Sequence, residues 1–157
     1  MHFKNLLTGE TIQNAISNSS GSVAWANDNR TVFYTSKNDV TLLSEKIWRH
    51  KLGSDSKSDK MVYHEKDDTF YNGVYRSKSG DYIIIYNQST LVSDFHILNA
   101  DKPDGDFVNF SPREKEHEYS IDHYQDKFFI ISNWDAKNNR LMETSETKTS
   151  KKNWKEV

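Results

Sequence analysis

The chain alternates short apolar runs with clusters of turn-forming polar residues, and one such unit is repeated. In its first copy, Val23 and Trp25 alternate with small residues. The turn-forming residues 27–30 follow, and a β-branched and aromatic run resumes at 31–34. Two runs with a period of two, separated by turn chemistry, are typical of a β-hairpin.

The unit recurs twice with the same order of strand, turn and strand, in residues 71–75, 77–80 and 82–86 and again in 119–123, 124–127 and 128–131. Aligned on Phe33, Ile84 and Ile130, the copies lie 51 and 46 residues apart. A second set of strand anchors has spacings of 44, 48 and 46 residues: Phe3, Ile47, Phe95 and Leu141. Repetition at this period, with four strands and no helix in each repeat, predicts the blades of a β-propeller.

The two strand sets predict an all-β fold, a partial β-propeller with about three four-stranded antiparallel blades plus half a blade. The half blade is predicted at 3–17 and the blades near 20–67, 69–113 and 117–157. Within the half blade, residues 3–10 read as a strand that runs into a turn, with 11–16 as the partner strand. Because blades bury their faces by stacking, we expect uncovered ends and, through them, self-association.

Composition excludes several classes of function. Lys and Arg total 21 against 23 Asp and Glu, so a net charge of −2 predicts no general attraction to nucleic acid or to a membrane surface. Cysteine is absent, which excludes disulfides, thiolate catalysis and cysteine-based zinc sites. The apolar runs are far shorter than a membrane span, and the polar N-terminus does not resemble a signal peptide. We therefore expect a cytoplasmic protein without a cofactor.

The histidines invite a metal-site interpretation that strand geometry disfavours. His117 and His123 share a face of an extended strand but stand about 20 Å apart. One ion does not reach both, so hydrogen bonding at blade edges is the preferred role. His50 and His64 lie at polar positions of alternating strands, and the same role is expected for them.

The acidic clusters are predicted to be turns. Asp67 with Asp68, and the group Asp101, Asp104 and Asp106 around Gly105, suggest calcium by composition alone. A calcium loop needs ligands at regular alternate positions and a terminal glutamate, and neither cluster has that pattern.

Four other features have both a structural and a functional interpretation. The four tryptophans and eight tyrosines favour packing between blades over a stacking platform for ligands. Residues 20–22 are small, and the sequence has no acid-base partner at a recognisable spacing from their serines. A serine nucleophile is therefore not predicted. A solvated linker is expected around Lys148, Lys151, Lys152 and Lys155. Polar contacts to a partner domain are the hypothesis for Arg49, Arg76 and Arg113.

Several segments match more than generic strands. They are 21–26 with Asp28, 46–50 with 52–53, 65–70, and 111–113 followed by 117–124. In that order they resemble the N-terminal β-propeller of the oligopeptidase B (protease II) branch of the prolyl oligopeptidase family of serine peptidases, and residues 3–10 resemble the segment before these blades. The resemblance implies a seven-bladed propeller that caps an α/β-hydrolase domain, restricts entry to short peptides and serves cleavage after Arg and Lys.

The sequence departs from that family because the hydrolase portion is missing. A nucleophile elbow needs Gly-x-Ser-x-Gly, and this spacing does not occur among the six glycines. No catalytic, cofactor-binding or metal-binding residue is therefore assigned, and the chain itself is not expected to be an enzyme. The favoured function is a non-catalytic propeller fragment whose partners are the α/β-hydrolase domain and peptide substrates in transit.

Two alternatives remain open at this stage. One is a stand-alone propeller module that binds a peptide or protein by strand addition to an open blade edge. The other is a sugar-processing propeller enzyme, which needs two carboxylates at the separation used by glycosidases.

Overall fold

The computed structural model describes residues 1–12 and 15–157, and within them the chain forms antiparallel sheets with two short 3₁₀ helices. The first sheet, the half-blade, consists of β1 (Phe3–Lys4) and β2 (Thr11–Ile12). Blade I follows with β3 (Ser19–Trp25), β4 (Thr31–Lys37), β5 (Ser44–Lys51) and β6 (Lys60–His64).

Blades II and III repeat this order of four strands. Blade II consists of β7 (Tyr71–Arg76), β8 (Tyr82–Gln88), β9 (Ser93–Asn99) and β10 (Val108–Asn109). Blade III consists of β11 (Tyr119–Tyr124), β12 (Lys127–Ser132), β13 (Arg140–Ser145) and β14 (Lys155–Glu156). The 3₁₀ helices span Ser56–Ser58 and Lys151–Asn153.

The predicted fold class is confirmed: three four-stranded antiparallel sheets and one two-stranded sheet. In the half-blade, Phe3 pairs with Ile12 as the strand and turn pattern predicts. Residues 13 and 14 of the predicted partner strand lie outside the described residues. The exact division of the chain into blades at 3–17, 20–67, 69–113 and 117–157 stays a prediction.

Local turn chemistry explains the first hairpin. Between β3 and β4, the Asp28 carboxylate accepts hydrogen bonds from the N–H groups of Arg30 (2.9 Å) and Thr31 (2.8 Å). The hydroxyl of Thr31 donates to the same carboxylate at 2.7 Å. An aspartate that caps its own turn in this way fixes where the second strand starts.

The cores lie in three seams, each formed where one sheet packs on the next. The first seam joins the half-blade to blade I, with buried Phe3, Ile16, Val32 and Tyr34. The second joins blades I and II, with buried Ala24, Ala26, Phe33, Ile47, Val74, Ile83, Ile85, Leu98 and Ala100. The third joins blades II and III, with buried Ile84, Phe95, Ile97, Phe110, Tyr119, Ile121, Phe128, Ile130, Met142 and Trp154.

The structure corrects one predicted equivalence between the repeats. Phe33 and Ile84 lie on the face that each blade turns toward the following blade, whereas Ile130 lies on the face that blade III turns toward blade II. Because neighbouring side chains on a strand point to opposite faces, the position equivalent to Phe33 and Ile84 is Phe129. The anchor Leu141 pairs with Ile131, on the same face as Phe129.

In the first hairpin, the larger residues of the predicted alternation on β3 do not lie in the second seam. Trp25 points to the first seam, where its ring meets Phe3 edge-on at 5.6 Å. Val23, on the same face, is 41% exposed, while Ala24 between them is buried in the second seam. On β3, the residue buried in the second seam is therefore the small residue Ala24.

The face of blade III that points away from blade II is the uncovered end of the arc. Ile131 and Leu141 lie opposite each other on β12 and β13, and they are 50% and 44% exposed. In blades I and II the equivalent face is buried against the following blade. Part of the apolar surface of blade III thus meets solvent.

Adjacent substitutions test the assignment of faces in blade III. Ile130→Ala removes a fully buried side chain from the third seam, and we expect a loss of about 3 kcal/mol in the free energy of unfolding. Ile131→Ala removes the same atoms from the exposed face, so the expected loss is below about 1 kcal/mol. Urea unfolding followed by circular dichroism measures both. Equal losses would contradict the assigned register.

Candidate functional site at the seams between blades

Arg113 joins two of the segments that connect the blades. It lies on the connection between blades II and III, and its Nη2 donates to Glu65 Oε2 at 2.6 Å. Its Nε donates to Asp94 Oδ2, and its guanidinium lies over the Phe70 ring, 3.8 Å from the centroid. Glu65 lies on the connection between blades I and II, so one side chain ties both connections to β9.

Asp94 is the buried centre of this network. Its side chain is 2% exposed, and Asn87 Nδ2 donates to it at 2.7 Å and to the Tyr63 hydroxyl at 2.8 Å. Burial raises the pKa of Asp94, but hydrogen bonds from His96, Asn87 and Arg113 outweigh this effect and hold the pKa below its usual value. The carboxylate is thus kept charged inside the protein.

The other two arginines also join blades. Arg76 on β7 donates through Nη2 to Asn27 in the first hairpin turn of blade I and to the carbonyl of Gly80 at 3.0 Å. Arg49 on β5 donates to the carbonyl of Pro103 in blade II at 2.7 Å. All three arginines that the sequence nominates for contact with a partner domain therefore have partners inside this chain.

Two serines bridge the seams through single hydroxyl groups. Ser22 Oγ donates to the carbonyl of Val74 at 2.7 Å and accepts from the N–H of the same residue at 2.6 Å. Ser93 Oγ makes the same pair of bonds with Tyr119, at 2.8 and 2.7 Å. Sequence analysis noticed Ser22 only as a small residue and missed Ser93. No local signal identifies them, because their partners are 52 and 26 residues away.

His123 lies buried between blades II and III. Its Nδ1 is 2.8 Å from Ser79 Oγ, and its Nε2 is 3.4 Å from Glu146 Oε2. Serine, histidine and carboxylate are the components of a hydrolytic triad. Here, however, the ring is 1% exposed and packs against Tyr82 and Phe128, at 4.7 and 4.8 Å between centroids, so a substrate has no access to it. We interpret the group as an interblade contact, which agrees with the predicted role.

His117 also forms the kind of hydrogen bond that the sequence predicts. Its Nε2 lies 2.9 Å from Ser132 Oγ, which joins the start of blade III to the end of β12. Burial and the nearby charge of Lys151 lower the pKa of His117, with Glu114 opposing them. This histidine is therefore held in its neutral form.

His50 departs from the expectation of a polar strand position, because it is fully buried. Its Nδ1 lies 2.7 Å from Asp59 Oδ1, and the Tyr34 hydroxyl donates to the other oxygen of Asp59 at 2.9 Å. Phe3 of the half-blade stacks on the imidazole at 5.5 Å. A polar residue of β5 therefore faces the first seam here, and the hydrogen bond at Nδ1 offsets part of the cost of its burial. His64, by contrast, is exposed.

The acidic clusters form turns and surface contacts. Asp67 accepts from the N–H and the hydroxyl of Thr69, at 3.0 and 2.6 Å. The N–H of Gly105 donates to the carbonyl of Lys102 at 3.0 Å, which confirms the predicted turn. Across residues 1–12 and 15–157, no three histidine or acidic side chains come together as a cation site.

The lysine cluster near residue 150 is more ordered than the expected solvated linker. Lys151 starts a 3₁₀ helix, pairs with Glu114 and lies 5.1 Å from the Trp134 ring. Trp154 directly after this helix is 5% exposed and contacts Tyr119 at 5.1 Å in the third seam. The buried tryptophan explains why the segment is ordered, and these aromatic residues serve packing as predicted.

Removal of Arg113 tests the network around Asp94. Arg113→Met leaves two buried carboxylates without their cation, and we expect a loss of about 2 kcal/mol, below the range for fully buried pairs because the guanidinium is 32% exposed. Lys127→Met, which breaks the more exposed pair with Glu143, is the matched control and should matter much less. Equal losses for the two variants, measured by urea unfolding at pH 7, would contradict this role.

The same network predicts a pH dependence. The pKa of Asp94 is lower in the folded state than in the unfolded state, so its contribution is complete above the unfolded value, about 4, and is lost as the pH falls through the folded value. Stability of the wild type should therefore decrease below pH 4 more steeply than that of Asp94→Asn. Parallel pH profiles for the two proteins would rule out this contribution.

Comparison with known proteins shows which family this sequence matches. The sequence matches the family described as prolyl oligopeptidase, N-terminal beta-propeller domain, over residues 1–157. It is 39% identical to dipeptidyl aminopeptidase BI of Pseudoxanthomonas mexicana over 99% of this chain and 22% of that protein. It is 32% identical to protease 2 of Moraxella lacunata over 90% of this chain and 21% of that protein.

A solved structure agrees with the sequence matches. Oligopeptidase B from Leishmania major superposes with a TM-score of 0.86 at 25% identity, over 94% of this chain and 21% of that one. The chain thus spans about a fifth of the length of these relatives. Within the described residues, no helix has the length and apolar character needed to cross a membrane. The chain belongs to the prolyl oligopeptidase family and corresponds to part of its N-terminal β-propeller domain.

Proposed function

We propose that this chain is a non-catalytic part of the propeller of an oligopeptidase B-like serine peptidase, which hydrolyses short peptides after Lys or Arg in the cytoplasm. The observation that carries the proposal is the match of the whole chain to the propeller domain of this family, together with the close superposition on oligopeptidase B. The partners in this proposal are the α/β-hydrolase domain and the peptides that pass the propeller.

The packing of the first strands supports a gating role. β3 packs beside β7, and the Tyr75 hydroxyl of β7 donates to the carbonyl of Ile121 on β11 at 2.7 Å. Together with Ser22, this contact links the first strands of all three blades side by side. Strands held in this way resist being spread apart to admit bulky substrates, because spreading them breaks partly buried hydrogen bonds.

The interaction-module alternative is less well supported by the blade edges. Strand addition needs a long free edge with unpaired backbone groups. The outermost strand of blade II, β10, has only two residues, and that of blade I, β6, has five. Short edges of this kind discourage pairing with another chain.

The first test is whether the isolated chain has peptidase activity. We expect no turnover of a fluorogenic dipeptide with a C-terminal Arg-amide, and no effect of a serine-directed inhibitor, because the chemistry belongs to the partner domain. The full-length peptidase, assayed beside it on Arg-, Lys- and Ala-amide dipeptides, tests the specificity. Inhibitor-sensitive turnover by the purified chain would refute the non-catalytic assignment, and equal cleavage after Ala would refute the specificity.

The second test addresses gating in the full-length peptidase. Ser93→Ala removes the hydroxyl that bonds both backbone groups of Tyr119, so the third seam should open more readily. We expect the cleavage of a peptide of about 30 residues to rise about threefold or more relative to a dipeptide amide. Thr90→Ala, at an exposed position in the turn between β8 and β9, is the control. A fall in both activities together, or no change in their ratio, would argue against gating at this seam.

A further inference from the structure

A cationic cavity lies at the edge of the second seam, beside the contact between Arg49 and the carbonyl of Pro103. It has a volume of about 260 Å³ and opens between the outer strands of blade I and the loop that precedes β10 of blade II. Arg49, Lys51 and Lys60 provide three positive charges, and Thr31, Ser54 and Ser58 line part of the remaining wall.

The strand register forces the three cations together. Arg49 lies directly opposite Lys60 on the neighbouring strand, so their side chains share a face of blade I. Lys51 is two residues after Arg49 and therefore lies on that face too. Like charges at directly opposed strand positions are destabilising, so this arrangement costs folding free energy unless an anion compensates it.

The carboxylates of the cavity compensate these charges only in part. Asp59 is 2% exposed and is already bonded to His50 and Tyr34. Asp104 approaches Arg49 and Lys51 at 3.8 Å each, the outer limit of an ion pair, and its side chain is 75% exposed. Lys60 forms no ion pair with any residue that the structure describes.

Arg49 is also pre-positioned for an anion. Its side chain is 13% exposed, and its Nη1 is fixed by the carbonyls of Pro103 and Gly105 at 2.7 and 3.4 Å. A guanidinium held by neutral carbonyls keeps its full charge and loses little further entropy on binding. Beside it, the exposed carboxylate of Asp104 takes the place that an oxyanion would occupy.

We infer that this cavity binds a small oxyanion, a phosphate or a carboxylate, between Arg49, Lys51 and Lys60, with Asp104 displaced toward solvent. The anion is held by charge-assisted hydrogen bonds from the three cations. Arg49 keeps its hydrogen bonds to the carbonyls of Pro103 and Gly105 in blade II, so the occupied site stays at the second seam. The anion site is formed by charges of this chain alone, so it does not depend on the peptidase assignment.

Titration of the ¹⁵N-labelled chain followed by NMR tests the site. Inorganic phosphate and acetate are added separately at constant ionic strength against a chloride blank, and the amides of residues 54–60, Lys102 and 104–106 are monitored. We expect saturable shifts in both segments with at least one of the two anions, and the tighter one identifies the phosphate or carboxylate class. Shifts no larger than those with chloride for both anions would overturn the inference.

Two sets of variants distinguish a specific site from general attraction. The double variant Lys51→Gln/Lys60→Gln should weaken binding about tenfold or more, whereas the exposed pair Lys115→Gln/Lys137→Gln changes the net charge equally and should leave it unchanged. Asp104→Asn removes the competing carboxylate and should tighten binding about threefold. Equal weakening by both double variants, or weaker binding by Asp104→Asn, would overturn the inference.

Discussion

Each blade of this chain has apolar side chains on both faces, so burying them all requires a neighbouring sheet on each side. Val32 and Phe33 show this constraint at adjacent positions, since both are fully buried but in different seams. Backbone pairing joins the strands within a blade, while packing in the seams supplies most of the burial. Stability is therefore shared between neighbouring blades, and no single sheet is independent of the next.

Polar groups set how neighbouring blades meet. Hydroxyl groups of Ser22 and Ser93 satisfy backbone groups of the next blade, and a buried carboxylate at Asp94 requires the cation of Arg113. Such contacts are directional, unlike apolar packing, so they fix the angle and depth at which blades join. The second and third seams of this chain thus combine non-directional apolar burial with directional polar contacts.

Local chemistry made the hairpins and the fold class predictable, because turn residues such as Asp28 act within a few positions. The face of Ile130 was not predictable, since residues 128–131 are all apolar and a shift of one residue leaves the pattern unchanged. The contact between Arg113 and Glu65 was also hidden, because it joins residues 48 apart through the blade stacking. Sequence thus identifies elements better than it identifies the polar contacts that join them.

The tryptophans are distributed unevenly over the seams, and this affects what spectroscopy detects. Trp25 and Trp48 lie in the first seam, and Trp134 and Trp154 lie in the third. These are all four tryptophans of the chain, so the second seam holds none. Intrinsic tryptophan fluorescence therefore reports separation of the first or third seam. Separation of blades I and II at the second seam leaves the local surroundings of every tryptophan intact.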